Sequence, residues 1–165
     1  MNYLTYQLLN PEELKSLKIT LDKEELPWED GKKTAGNQAA KVKHNLQLNK
    51  KSESSKHFAE LISRKLLGNQ LIKSFTLPKK IHGTMFTKSV KGMKYGRHID
   101  NSFMSSGRAD LSFTIFLNCK DSYEGGELLI ENLNSEKRFK LNSGELLIYP
   151  STYLHSVKAV SYTHL

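Results

Sequence analysis

His98-Ile99-Asp100 places an imidazole and a carboxylate two residues apart, a spacing that puts both on one face of an extended segment and lets them meet one cation. Alone, the pair reads equally well as a surface histidine beside a turn aspartate. His155 lies 57 residues downstream, just past a strand-like run closing on Tyr149-Pro150, where a β-sandwich can return it to the first pair. Two imidazoles and one carboxylate on one side of an ion, with the other side open, is the arrangement that holds non-haem Fe(II) and leaves room for O₂ and a co-substrate. His44, His57, His82 and His164 have no carboxylate at ligand spacing and read as surface or core residues. Glu127 and Glu145 follow glycine at strand starts, an ordinary place for an acid. Arg97 and Arg108 flank the motif and are expected either to face substrate or to pair with Asp110 or Asp121. Cys119, the only cysteine, is expected to be a small packing residue and excludes both an intrachain disulfide and a cysteine-based zinc site.

The elements that must position these residues divide the chain. Asn10 with Pro11, Glu12 and Glu13 is a helix start, and Leu26 to Gly36 reads as an irregular loop anchored by Trp28. Val42, Asn45, Leu46 and Leu48 suggest a short strand. From Ser52, with Glu53 in the cap, Phe58, Leu61, Ile62, Lys65, Leu66 and Ile72 follow one helical stripe. After Pro78 the pattern turns to strands at 85–87, 111–117, 127–130, 137–141 and 145–149, punctuated by Gly125-Gly126, Asn132 to Ser135 and Asn142-Ser143-Gly144. Short strands at this spacing predict an antiparallel sandwich or barrel, and helices ahead of strands make the chain α+β. The division expected is 1–78, helices and loops packed on the core, and 79–165, the core itself.

With 38% apolar and 25% charged residues, the 165-residue chain predicts one soluble domain. It has no spanning segment and no leader, so a cytoplasmic setting is expected. The net charge of +8 is uneven: −4 over residues 1–31, +13 over 32–94 and −1 over 95–165. The basic middle lacks interleaved aromatics and an arginine block, so it reads as a solvated lysine surface and argues against nucleic acid as a partner.

Three runs carry a resemblance: Tyr95-Gly96-Arg97-His98-Ile99-Asp100-Asn101, Arg108-Ala109-Asp110 through Leu117, and Tyr123-Glu124-Gly125-Gly126-Glu127-Leu128. Together with Gly144 to Ser151 before Leu154-His155, and with Trp28-Glu29-Asp30-Gly31, Thr34-Ala35-Gly36 and Val42-Lys43-His44-Asn45 upstream, they resemble the PKHD-type hydroxylases. These are bacterial relatives of the prolyl 4-hydroxylase α-subunit among the Fe(II)/2-oxoglutarate dioxygenases. The resemblance implies a double-stranded β-helix, or jelly roll, with iron held by His98, Asp100 and His155 and with Tyr95 contacting 2-oxoglutarate. It implies hydroxylation of an unactivated C–H bond, with succinate and CO₂ as co-products, and ascorbate as a reductant that rescues over-oxidised iron. A small-molecule or peptidyl substrate and a link to iron homeostasis come with it, and homo-oligomerisation is left open. The family pattern continues beyond the distal histidine with a Thr-Arg-Gly-x-Arg-like segment whose second arginine grips the far carboxylate of 2-oxoglutarate. This sequence reads Ser161-Tyr162-Thr163-His164-Leu165 instead, with no arginine beyond Arg138 and Lys158 as the only nearby cation. The expectation is a sequence truncated at its C-terminus, with a non-catalytic metal-binding jelly roll or an inactive fragment as the alternative to an enzyme.

Overall fold

The computed structural model describes residues 3–163, so His164 lies outside the described residues. Asn10 opens helix α1 (Pro11–Leu21) with a reciprocal cap: its side-chain oxygen accepts from the Glu13 N–H, and the Glu13 carboxylate accepts from the Asn10 N–H, both at 2.9 Å. Ahead of it, Leu4–Gln7 forms strand β1, which the sequence reading left unassigned.

The expected loop from Leu26 to Gly36 is more ordered than its turn-rich composition suggests. It contains strand β2 (Trp28–Asp30) and a 3₁₀ turn over Gly31–Thr34 capped by Asp30, and helix α2 (Asn37–Val42) follows. The single strand expected around 42–48 is two, β3 (Lys43–His44) and β4 (Leu46–Leu48), in different sheets. Ser52 caps helix α3 (Glu53–Gly68), and Asn69 restarts the chain as helix α4 (Gln70–Thr76), so the long stripe is shared between two helices.

Two antiparallel sheets face each other. One runs in the order β1, β13 (Glu145–Pro150), β9 (Leu111–Ile115). The other runs β12 (Ser135–Phe139), β11 (Leu128–Asn132), β14 (Leu154–Val157), β6 (Lys94–His98), β3. A small sheet joins β2, β4 and β5 (Thr87–Lys88), and two short pairs join β7 (Phe103–Met104) to β8 (Gly107–Arg108) and β10 (Tyr123–Glu124) to β15 (Tyr162–Thr163).

Alternation along β13 divides the core. Leu147 and Tyr149 point between the large sheets, where they meet Phe116, Leu128, Ile130 and Phe139. Leu146 and Ile148 point outward, onto Leu17 of α1, Phe58, Ile62 and Leu66 of α3 and Ile72 of α4. The turn into β11 needs its glycines: Gly125 and Gly126 have φ of +75° and +69°, and a Cβ on Gly125 would overlap the Ala159 carbonyl oxygen. Among the described residues no helix is long and apolar enough to cross a membrane.

Candidate metal centre

His98 ends β6 and His155 is the second residue of β14; the ladder pairs them directly, with ring centroids 4.2 Å apart. Asp100 does not share their strands. The assigned strand stops at His98, and Asp100 lies in the irregular segment that follows, where its N–H donates to the Ser151 carbonyl at 3.2 Å. From that segment the carboxylate reaches both imidazoles, with Oδ1 3.8 Å from His98 Nε2 and Oδ2 3.6 Å from His155 Nε2. One donor atom from each of the three residues lies within 4.8 Å of the others.

Each histidine is held by its other nitrogen. His98 Nδ1 donates to the Gly96 carbonyl at 2.8 Å and His155 Nδ1 to the Tyr153 carbonyl at 2.9 Å, which leaves both Nε2 atoms facing the cluster. Burial pulls the His98 pKa down to about 4, helped by the neighbouring His155 and opposed by the Gly96 carbonyl and Asp100. His98 is therefore neutral near pH 7 and would have no proton to lose to a bound cation.

The carboxylate is fixed from the facing sheet, where the Ser112 hydroxyl of β9 donates to Asp100 Oδ2 at 2.6 Å. Ser151, fully buried, links the Asp100 segment to the start of β9. Its hydroxyl donates to the Ala109 carbonyl at 2.7 Å and its N–H to the Asp110 carbonyl at 3.0 Å. Two imidazoles and one oriented carboxylate, with no sulfur donor, fit a divalent first-row ion that keeps open positions.

Tyr95 stacks on His98 with centroids 3.6 Å apart, and burial together with the Asp100 charge pushes its phenol up to about 12. It is a hydrogen-bond donor at neutral pH. Lys43, only 3% exposed, holds its ammonium 5.0 Å from the Tyr95 ring centre. Burial lowers its pKa, Lys50 adds to the effect, and Asp100 and Asp30 oppose it. Lys43 is thus a buried cation beside the cluster. A cleft of about 510 Å³ opens next to His98, lined among others by Lys41, Val42, Arg97 and Leu154.

The remaining candidates lie apart from the cluster. His44 is exposed, His57 packs edge-on to Phe58, and His82 bonds the Ser106 hydroxyl and the Arg108 carbonyl. Arg108 pairs with Asp110 at 2.6 Å, whereas Arg97 pairs with Glu131, a partner the sequence did not suggest. Cys119 is exposed rather than packed, because it follows the end of β9 and opens a 3₁₀ turn on the surface. Ser112, Ser151 and Lys43 were not singled out from the sequence. The one available signal was Lys43-x-Asn45-x-Gln47, three polar residues at alternating positions next to the expected strand.

The chain also has recognisable relatives. Residues 84–164 match the family model described as the 2OG-Fe(II) oxygenase superfamily. A crystal structure of a Pseudomonas putida prolyl-4-hydroxylase superposes with a TM-score of 0.66 at 16% identity, covering 96% of this chain and 85% of that one. A Trichoplax adhaerens prolyl hydroxylase, solved in complex with a hypoxia inducible factor peptide fragment, gives 0.67 at 16% identity over 96% of this chain and 77% of that one. The solved structures share its fold, and the family match together with the two relatives below places the chain among the 2-oxoglutarate- and Fe(II)-dependent oxygenases, as an oxidoreductase whose cofactor is Fe(II) and whose co-substrate is 2-oxoglutarate. It is 71% identical over 160 residues to a PKHD-type hydroxylase of Prochlorococcus marinus strain MIT 9215, and 67% identical to one of strain MIT 9515; each match covers 97% of this chain and 72% of the relative. The chain belongs to the PKHD-type hydroxylases.

Proposed function

We propose that His98, Asp100 and His155 hold the iron and that the protein hydroxylates an unactivated C–H bond of a small-molecule or peptidyl substrate. The reaction consumes one 2-oxoglutarate and one O₂ per hydroxyl group and releases succinate and CO₂. The observation that carries this reading is the convergence of three donor atoms, from two paired strands and the segment that follows one of them, within 4.8 Å. Iron supplies the oxidising chemistry when bound. The protein supplies the rest. Gly96 and Tyr153 fix the imidazoles, Ser112 fixes the carboxylate, and the protonated Tyr95 hydroxyl donates to a carboxylate oxygen of 2-oxoglutarate. The two facing sheets serve as a double-stranded β-helix with the cluster at its open end, built mainly by residues 79–165; residues 1–78 pack their helices on it and, beyond the expected division, lend it the edge strands β1 and β3. Ascorbate is the reductant that restores oxidised iron, and a place in iron homeostasis, in the cytoplasm, suits a protein whose own activity depends on Fe(II).

The test is succinate formation from 2-oxoglutarate under O₂ with Fe(II). It is expected in the wild-type chain and expected to drop by about 10³-fold or more in His98→Ala. Iron binding without any succinate would reduce the protein to a metal-binding module.

A further inference from the structure

We propose that Lys43 and Asn45 form a subsite for the carboxylate and an N–H group of an amino-acid-type substrate, beside the metal centre on the wall that also carries Tyr95. The inference rests on the hydroxylase reading and names the class of molecule that would be hydroxylated. It starts from burial. Lys43, Asn45 and Gln47 are 3%, 8% and 4% exposed, so three polar side chains within five residues, from β3 through the link into β4, are buried where apolar side chains usually lie.

Two of these groups are incompletely paired. The Lys43 ammonium has three N–H donors and makes one hydrogen bond, to the Thr34 hydroxyl at 3.3 Å, and no carboxylate among the described residues lies within 4.0 Å of it. Thr34 in turn bonds the Gln47 amide oxygen and lies on the exposed side of the group. The Asn45 amide oxygen is buried with no partner. Both side chains press on the same bare face of Gly31: a Cβ there would overlap Asn45 Oδ1 and come within 3.1 Å of Lys43 Cε. A buried ammonium without a counter-ion and a buried acceptor without a donor each cost free energy that apolar residues would not. A ligand bringing a carboxylate and an N–H satisfies both.

Charge and position narrow the ligand. A single positive charge suits a singly charged carboxylate better than a phosphate dianion. Tyr95, stacked on His98 and paired with Lys43 across β3 and β6, links the subsite to the metal cluster, so a carboxylate held there leaves its carbon chain near the site of oxidation. 2-Oxoglutarate carries only acceptors and cannot satisfy Asn45, whereas an amino acid can.

The experiment compares the full chain with Lys43→Met and Lys43→Arg, loaded anaerobically with Fe(II) and 2-oxoglutarate. The probes are the twenty amino acids and their carboxamides, read by calorimetry. At least one acid is expected to bind the wild type about tenfold or more tighter than its carboxamide. That preference should disappear in Lys43→Met and persist in Lys43→Arg, with 2-oxoglutarate affinity unchanged within about twofold in all three. The subsite is overturned if no acid is preferred by the wild type, or if the preference survives in Lys43→Met. It is also overturned if Lys43→Met weakens 2-oxoglutarate instead, which would give the ammonium to the co-substrate. Failure of the wild type to bind Fe(II) would count against the hydroxylase reading alone, since the acid-to-amide comparison can be repeated on the metal-free chain.

Discussion

The two ends of the space between the large sheets are built by the same strands and filled in opposite ways. At one end Phe116, Leu128, Phe139 and Leu147 interlock, none more than 8% exposed. A residue or two further along the same ladders, Tyr149 follows Leu147, His155 replaces Val157 as the inward residue of β14, and Ser112 lies across from Tyr149. Backbone geometry does not distinguish the ends, because the alternation that buries Leu147 also buries His155. The difference lies in what burial yields. The apolar end gains transfer free energy and packing, whereas the polar end sets desolvation of His98, His155 and Lys43 against fixed donor geometry.

The comparison breaks most visibly by exchanging what each end contributes. Leu147→Ala, at a fully buried position, is expected to lower unfolding free energy by about 2–5 kcal/mol in urea denaturation. His98→Ala, only 8% exposed in the wild type, is expected to cost less than about 1 kcal/mol in the metal-free protein, because the lost contacts are offset by removing a buried imidazole. Equal losses would mean that the metal-binding end also carries the fold.

A finer division lies within the polar end, between residues that would touch the ion and residues that hold those in place. Ser112→Ala removes the 2.6 Å hydrogen bond to Asp100 and leaves all three proposed ligands intact. Fe(II) affinity, measured by chelator competition, is expected to fall about 10–100-fold, with a change in melting temperature of a few degrees at most. An affinity within twofold of wild type would assign the orientation of Asp100 to the Ser151-anchored segment alone.

The sequence made the apolar end legible as strands and the polar end legible as chemistry, for different reasons. Runs such as Leu111 to Leu117 and Glu145 to Tyr149 carry β-branched, aromatic and leucine residues between glycine or asparagine turns, and they became β9 and β13 within a few residues. His98, Asp100 and His155 stood out because few residue types ligate metals, although Asp100 lies just past the end of the strand that the spacing suggested. What stayed hidden depended on partners distant in sequence. β1 is a strand only because β13 offers it an edge, and β3 is two residues long because β6 accepts it. Lys43 looked like one more lysine in a +13 segment, since its burial is conferred by Gly31, Thr34 and Tyr95 and by nothing in its own neighbourhood.

The smallest effect separates the helical layer from both ends. Lys65 of α3 reaches both carboxylate oxygens of Glu13 on α1 at 2.7 Å, with about a quarter of each side chain exposed. Burial alone would raise the Glu13 pKa, but the Lys65 hydrogen bond, the Asn10 N–H and the Lys65 charge outweigh it and leave the group below its ordinary 4.5. A carboxylate depressed in the folded state stabilises the fold at pH above the unfolded value, and that contribution is lost as pH falls through the folded one. Glu13→Gln is therefore expected to cost about 0.5–1 kcal/mol at pH 7, and the gap to wild type should close as the pH is lowered below 4.5. Fe(II) affinity should not move, because the pair packs on the outward face of β13 while the proposed ligands face inward. A parallel loss of iron binding would show that the helical layer sets the geometry of the metal centre, and the two faces of β13 could then no longer be treated as independent.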